Sequence, residues 1–149
     1  MRGFWKNWMI VWCWGVLAFG GVLALAAVPA ADGPARFAIA LLGGDPAKAA
    51  LLDQPVMQFA FGLQGALTIG WGLTMFGMIR AADTGGAPVW QALTFALVVW
   101  YVIDSAISVA TGFPLNAVSN TLLTAGYLVP VIGSGVLRAK SDTRTLLAS

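Results

Sequence analysis

Apolar residues run almost unbroken through four stretches of this chain, at about 8–28, 56–79, 89–111 and 117–137, and polar residues gather between them. At about 1.5 Å per residue, each stretch makes a helix of roughly 30 Å, the thickness of a bilayer's hydrocarbon layer. The pattern predicts an all-α integral membrane protein. A single transmembrane domain over 1–149 is expected, an antiparallel four-transmembrane-helix bundle with a short amphipathic helical connection between its first two spans.

The segments between the spans carry the punctuation. In the long connection, 29–54, Asp32-Gly33-Pro34 and Asp45-Pro46 each place a capping residue before a proline suited to a first helical turn, and Gly43-Gly44 ends the first piece. Phe37, Ile39, Leu41 and Leu42 make that piece apolar enough to lie on a membrane surface, to cap the bundle, or to fold back onto its own helices. The connection 80–88 holds Gly85-Gly86 for a turn and Pro88 to open the third span; the turn at 112–115 leads to Asn116, which suits an N-cap. Pro130 interrupts the last span and frees the carbonyl near Gly126. The first span has a basic start and a small-residue ending, Val28-Pro29-Ala30, which imitate a cleavable signal peptide; its length, with Trp12 and Trp14, favours a retained anchor.

Composition agrees and removes several chemistries. Of 149 residues 59% are hydrophobic and 9% charged, against about a quarter charged in soluble domains. There is no His, and Cys13 stands alone in the first apolar run, so imidazole metal sites, histidine bases, disulfides and thiolate clusters are excluded. No cofactor is expected. The net charge of +2 carries no nucleic-acid signature, because the basic residues sit at span ends.

Those basic residues give an orientation. With a cytoplasmic amino terminus, Arg2, Lys6, Arg80, Arg138, Lys140 and Arg144 face inward, while Arg36 and Lys48 face outward among Asp32, Asp45 and Asp53. Both termini are then cytoplasmic, and the long connection shares the outer side with the turn at 112–115. Trp5, Trp8, Trp71, Trp90 and Phe113 fit interfacial belts. The layout resembles small four-helix inner-membrane proteins of bacteria in helix count, which implies a cell-membrane location and nothing about activity.

Two features reach beyond architecture. Gly62, Ala66, Gly70 and Thr74 recur every four residues along the second span, a small-residue stripe that lets another helix approach closely. Asp104 lies inside the third span, where a charge costs about 2.5 to 3.5 kcal/mol even on a lenient scale, and no Lys or Arg shares a span to pair with it. Either it carries a proton, or amides and hydroxyls donate to it, or a cation or wet pocket keeps it charged. Asp104 and Gln64 both fall roughly 10 to 13 Å below the outer surface, and Ser108 and Asn120 lie within a turn or so. Asp104, Ser108, Gln64 and Asn120 are therefore expected to face a common interior, with Gln58 and Asn116 nearer its mouth.

Catalysis is not expected. Asp104 is the sole acid within a span, and Ser105 and Ser108 have no His or buried Lys to activate them. The favoured function is a non-catalytic accessory or assembly subunit, whose partners are membrane lipids and other membrane helices of its own kind or of a larger complex. The alternative is a carrier, channel or binding protein for a proton, a cation or a small lipophilic molecule, with Asp104 as the binding group.

Overall fold

In a computed structural model the described residues are Met1 and 3–138, and their regular structure is entirely helical. Five α-helices follow in order: α1 (Phe4–Ala24), α2 (Gly33–Gly43), α3 (Pro55–Gly85), α4 (Ala87–Ala110) and α5 (Pro114–Gly133). Tighter 3₁₀ turns occupy Leu25–Ala27, Pro29–Ala31 and Pro46–Asp53. Four helices, α1, α3, α4 and α5, are long and apolar enough to cross a membrane. Arg2, Lys140 and Arg144, which entered the orientation argument, lie outside the described residues.

The largest departure from expectation is the connection 80–88. α3 continues through Arg80 and Ala82 to Gly85, and Gly86 alone joins it to α4. Ala81 and Ala82 are good helix formers, and the chain reverses only at Gly86, whose φ of 68° and ψ of −157° a side chain would resist. The 31 residues of α3 make a rod of about 46 Å, longer than the roughly 30 Å hydrocarbon layer. At the other turn, Asn116 is not the N-cap. Phe113 takes that position, Pro114 opens α5, and the Asn116 side chain is drawn across to α4.

Glycine decides how α1 meets α3. A Cβ on Gly65 would run into the backbone nitrogen of Ala24, and one on Gly20 would come within 2.9 Å of the Ile69 nitrogen. The two backbones are in van der Waals contact, an approach that small residues permit where no water is squeezed out. Of the expected stripe, Gly62 does make a close contact, with the 3₁₀ turn that continues α1, 2.8 Å from the Ala27 side chain at an added Cβ. Ala66, Gly70 and Thr74 instead face outward, and nothing lies within 4 Å of a Cβ on Gly70. The contact follows Gly62, Gly65, Ile69 and Gly72, a mixed spacing of three and four that tracks the helix's 3.6-residue turn, whereas a strict four-residue spacing drifts off the contact face.

The second close pair, α4 and α5, is joined by polar side chains. The Thr94 and Tyr127 hydroxyls lie 3.2 Å apart, and those of Tyr101 and Thr121 3.1 Å apart. Two indoles tie α1 to α5: Trp8 donates to the Gly126 carbonyl at 2.8 Å and Trp12 to that of Leu123 at 2.9 Å. The Gly126 oxygen is the acceptor that Pro130, lacking an N–H, leaves open, so Trp8 completes the helix rather than merely marking an interface. Trp90 is likewise no belt residue. It is 1% exposed, in a core with Met9, Cys13, Leu97, Tyr127 and Val131.

The long connection folds back onto its own helices. Ala35, Ile39 and Leu52 are buried with Ala26 against Met57, Phe61 and Phe113, while Phe37 and Leu41 point outward, 70% and 56% exposed. Arg36 staples the two ends of the connection, donating to Asp32 at 2.9 Å, Asp53 at 2.8 Å and the Ala49 carbonyl at 3.0 Å. Hydrogen bonds to Asp32 and then Asp53 push its guanidinium above the usual arginine range. Lys48 donates to the carbonyls of Gly43 and Gly112 and sits 4.3 Å from the centre of the Phe113 ring, fixing this lid to the α4–α5 turn. Around the long helices the outer surface is apolar, with Val11, Phe95, Leu122 and Ile132 each two-thirds or more exposed, as suits a surface covered by lipid chains.

Candidate functional site

The two close helix pairs do not meet along their whole length. Midway, Trp71 of α3 stacks on Trp100 of α4 with ring centres 5.5 Å apart, and Trp12 of α1 packs edge-on against Trp71 at 5.8 Å. On one side of these rings lies the core of Met75, Ile79, Trp90, Leu93 and Leu97. On the other, under the lid formed by α2, a cavity of about 750 Å³ separates the pairs. Val16, Phe19 and Leu23 of α1, with Met57 and Phe61 of α3, give it a largely apolar wall. Gln64 and Thr68 lie on the α3 side.

The facing wall is polar, and Asp104 organises it. Its Oδ1 accepts from Asn120 Nδ2 at 2.8 Å, from Asn116 Nδ2 at 2.9 Å and from the Ser108 hydroxyl at 3.2 Å. Asn116 donates also to Ser108 Oγ at 2.7 Å, and Asn120 to Ser105 Oγ at 3.3 Å. Helix geometry explains the convergence. Asp104 and Ser108 lie one turn apart on α4, Asn116 and Asn120 one turn apart on α5, and the turn at 112–115 brings the two faces together. Of the three ways to accommodate the half-buried acid, donation by neutral amides and hydroxyls is the one these side chains display.

Asp104, Ser108, Asn120 and Gln64, expected to face a common interior, line the cavity, and Asn116 lines it with them. Gln64 stands opposite the cluster and makes no hydrogen bond to Asp104. Gln58 does not line the cavity: its amide donates to the Leu52 carbonyl at 2.8 Å and closes the end of the lid. Asn116 proves to be a full member of the cluster rather than a residue of its mouth.

Sequence reasoning missed the cavity's floor and roof. Trp71 reads as an interfacial-belt residue and Trp100 carries no signal, because nothing local marks a cross-helix stack, and Ile39 and Leu42 become a roof only through the fold-back of α2. Ser119 could have been found, since it lies three residues from Asn116 on the same helix face. Comparisons with protein-family models, curated proteins and solved structures give no match to this chain.

Proposed function

We propose that this is a four-helix antiparallel membrane bundle that binds a small amphiphilic molecule in the cavity between its helix pairs, with Asp104 as the polar anchor. One observation carries the reading: a cavity of about 750 Å³, apolar on most sides, with a carboxylate and two carboxamides converging on one wall. Ligand pockets span about 300 to 1,000 Å³ and combine an apolar lining with a few placed polar groups, and this cavity has that composition. Structural glue alone would draw the helices together over the cluster. The role is binding rather than catalysis, since the side chains touching Asp104 are amides and a hydroxyl, none of which activates a nucleophile.

In this reading both termini are cytoplasmic and the lid lies on the outer side of a bacterial inner membrane. The pairing of Arg36 with Asp32 and Asp53 supports that orientation, because it leaves little free positive charge at the lid end.

The test is native mass spectrometry on protein extracted gently from its own membrane. The wild type should retain a small molecule that Thr68→Trp, which fills the cavity from α3, excludes. A wild type that emerges without any such molecule, under conditions that keep ordinary lipids attached, sinks the proposal. A second reading has its own support: Ala66, Gly70 and Thr74 form an outward ridge of small residues on α3, suited to another membrane helix. Co-extraction of a stoichiometric foreign subunit, broken by Gly70→Leu, would make the protein an accessory subunit.

A further inference from the structure

Accounting for each hydrogen in the cluster shows what its wall can still offer. Both N–H groups of Asn116 are used, on Asp104 Oδ1 and Ser108 Oγ, and so are both of Asn120, on Asp104 Oδ1 and Ser105 Oγ. The hydroxyls of Thr111 and Thr68 donate back to carbonyls of their own helices at 2.8 Å, and the one hydrogen of Ser108 is shared between the Asp104 carbonyl at 2.7 Å and Oδ1 at 3.2 Å. Around Asp104 the donor left over is the Ser105 hydroxyl, on a residue that does not line the cavity. What remains without a donor, among the described residues, is Asp104 Oδ2 and the amide oxygens of Asn116 and Asn120, on residues that all line the cavity. The free donors of the lining are on Gln64, Ser119 and the two floor indoles; Ser119 and Trp100 lie within a turn of the cluster, but none of the four carries a charge. Lys48, the cation of the lid, is taken by the carbonyls of Gly43 and Gly112.

Resting on the ligand-binding reading above, we infer that the cavity selects an amphiphile whose polar end is a protonated primary amine. Three acceptors, one of them a carboxylate oxygen with no cationic partner among the described residues, call for a group with several N–H donors and a positive charge. An ammonium has three donors. A quaternary ammonium has the charge but no N–H, and an alcohol has one donor and no charge. A calcium ion takes about six to eight oxygen ligands, typically with more than one carboxylate among them, whereas Asp104 is the sole acid of the lining. Val16, Phe19, Leu23 and Phe61 suit an alkyl chain, held against the tryptophan floor while the amine faces Asp104.

The probes are dodecylammonium, dodecyltrimethylammonium and dodecanol, which share one chain, added to the wild type in a neutral detergent and counted by native mass spectrometry. Thr68→Trp measures binding outside the cavity. Dodecylammonium should be retained about tenfold better than either other probe, the effect of one charge-assisted hydrogen bond. Asp104→Asn should lower it to the level of dodecanol and leave dodecanol unchanged. Equal retention of all three, each reduced by Thr68→Trp, overturns the amine while leaving the cavity as a binding site. Retention of none above Thr68→Trp overturns both. An ammonium preference that persists in Asp104→Asn overturns the assignment to Asp104, and if that variant does not accumulate, the wild-type series still decides for or against the amine.

Discussion

Replacing Gly65 by leucine should part the molecule along its closest seam. An added Cβ would meet backbone on every side, at Ala24 Cα and the Gly20 carbonyl oxygen, both 2.7 Å away. Backbone cannot rotate aside as a side chain can, so α1 and α3 must separate. Overpacking costs typically about 1–3 kcal/mol, and the upper end applies where rigid atoms are struck. Removing a glycine from a helix returns up to about 1 kcal/mol, which leaves a net loss of roughly 2 kcal/mol. Gly70→Leu is the matched control: the same helix and substitution, with nothing within 4 Å of the new Cβ, so it should keep the propensity gain and lose nothing. Unfolding in mixed micelles of increasing dodecyl sulfate, followed by far-ultraviolet circular dichroism, compares the two. Equal midpoints for Gly65→Leu and Gly70→Leu would refute the contact.

Three further outcomes are expected. Asn120→Leu removes a donor 2.8 Å from Asp104 and a link between α4 and α5, and should destabilise the fold by about 1–3 kcal/mol in the same assay, more than Asn116→Leu, because Asn120 is the more deeply buried. Trp8→Phe should destabilise by about 1 kcal/mol by orphaning the Gly126 carbonyl, yet cost little when combined with Pro130→Ala, which lets α5 supply its own N–H; additive losses in that double-mutant cycle would contradict the pairing. Arg36→Gln should open the connection 29–54 to limited proteolysis without changing helix content. With the guanidinium raised above its usual range, the staple's arginine charge is fully present below that range and lost only as pH rises beyond it, so added salt rather than alkali should mimic the variant.

The fold's elements were legible because hydropathy over twenty residues is a strong signal, and the polar cluster was legible because depth along a helix is simple arithmetic. Asp104, Ser108, Asn116 and Asn120 meet as spacing requires. What failed needed information from across the molecule. Gly65 and Gly72, which lie outside a four-residue register, make the contact with α1, and Ala66 and Gly70 do not. A sequence shows that a helix has a small-residue face without showing which of two such faces a neighbour takes. Trp90 and Trp71 look like interfacial aromatics until Tyr127 and Trp100 are placed beside them. Gln58 shares a span with Gln64, but its amide serves the lid.

The tryptophan stack gives the molecule a polarity that its near-symmetric arrangement of helices would not suggest. Beyond Trp71 and Trp100 the interior is filled by Met75, Leu93, Leu97 and Val131, so the cavity is a cup with a sealed base rather than a section of a pore. On the ligand-binding reading, anything that reaches Asp104 would enter and leave through the lid half. On that reading, a ligand bound there would meet one leaflet alone, and moving it to the other side would require both helix pairs to part and the indoles to unstack. The proposed site is therefore one-sided.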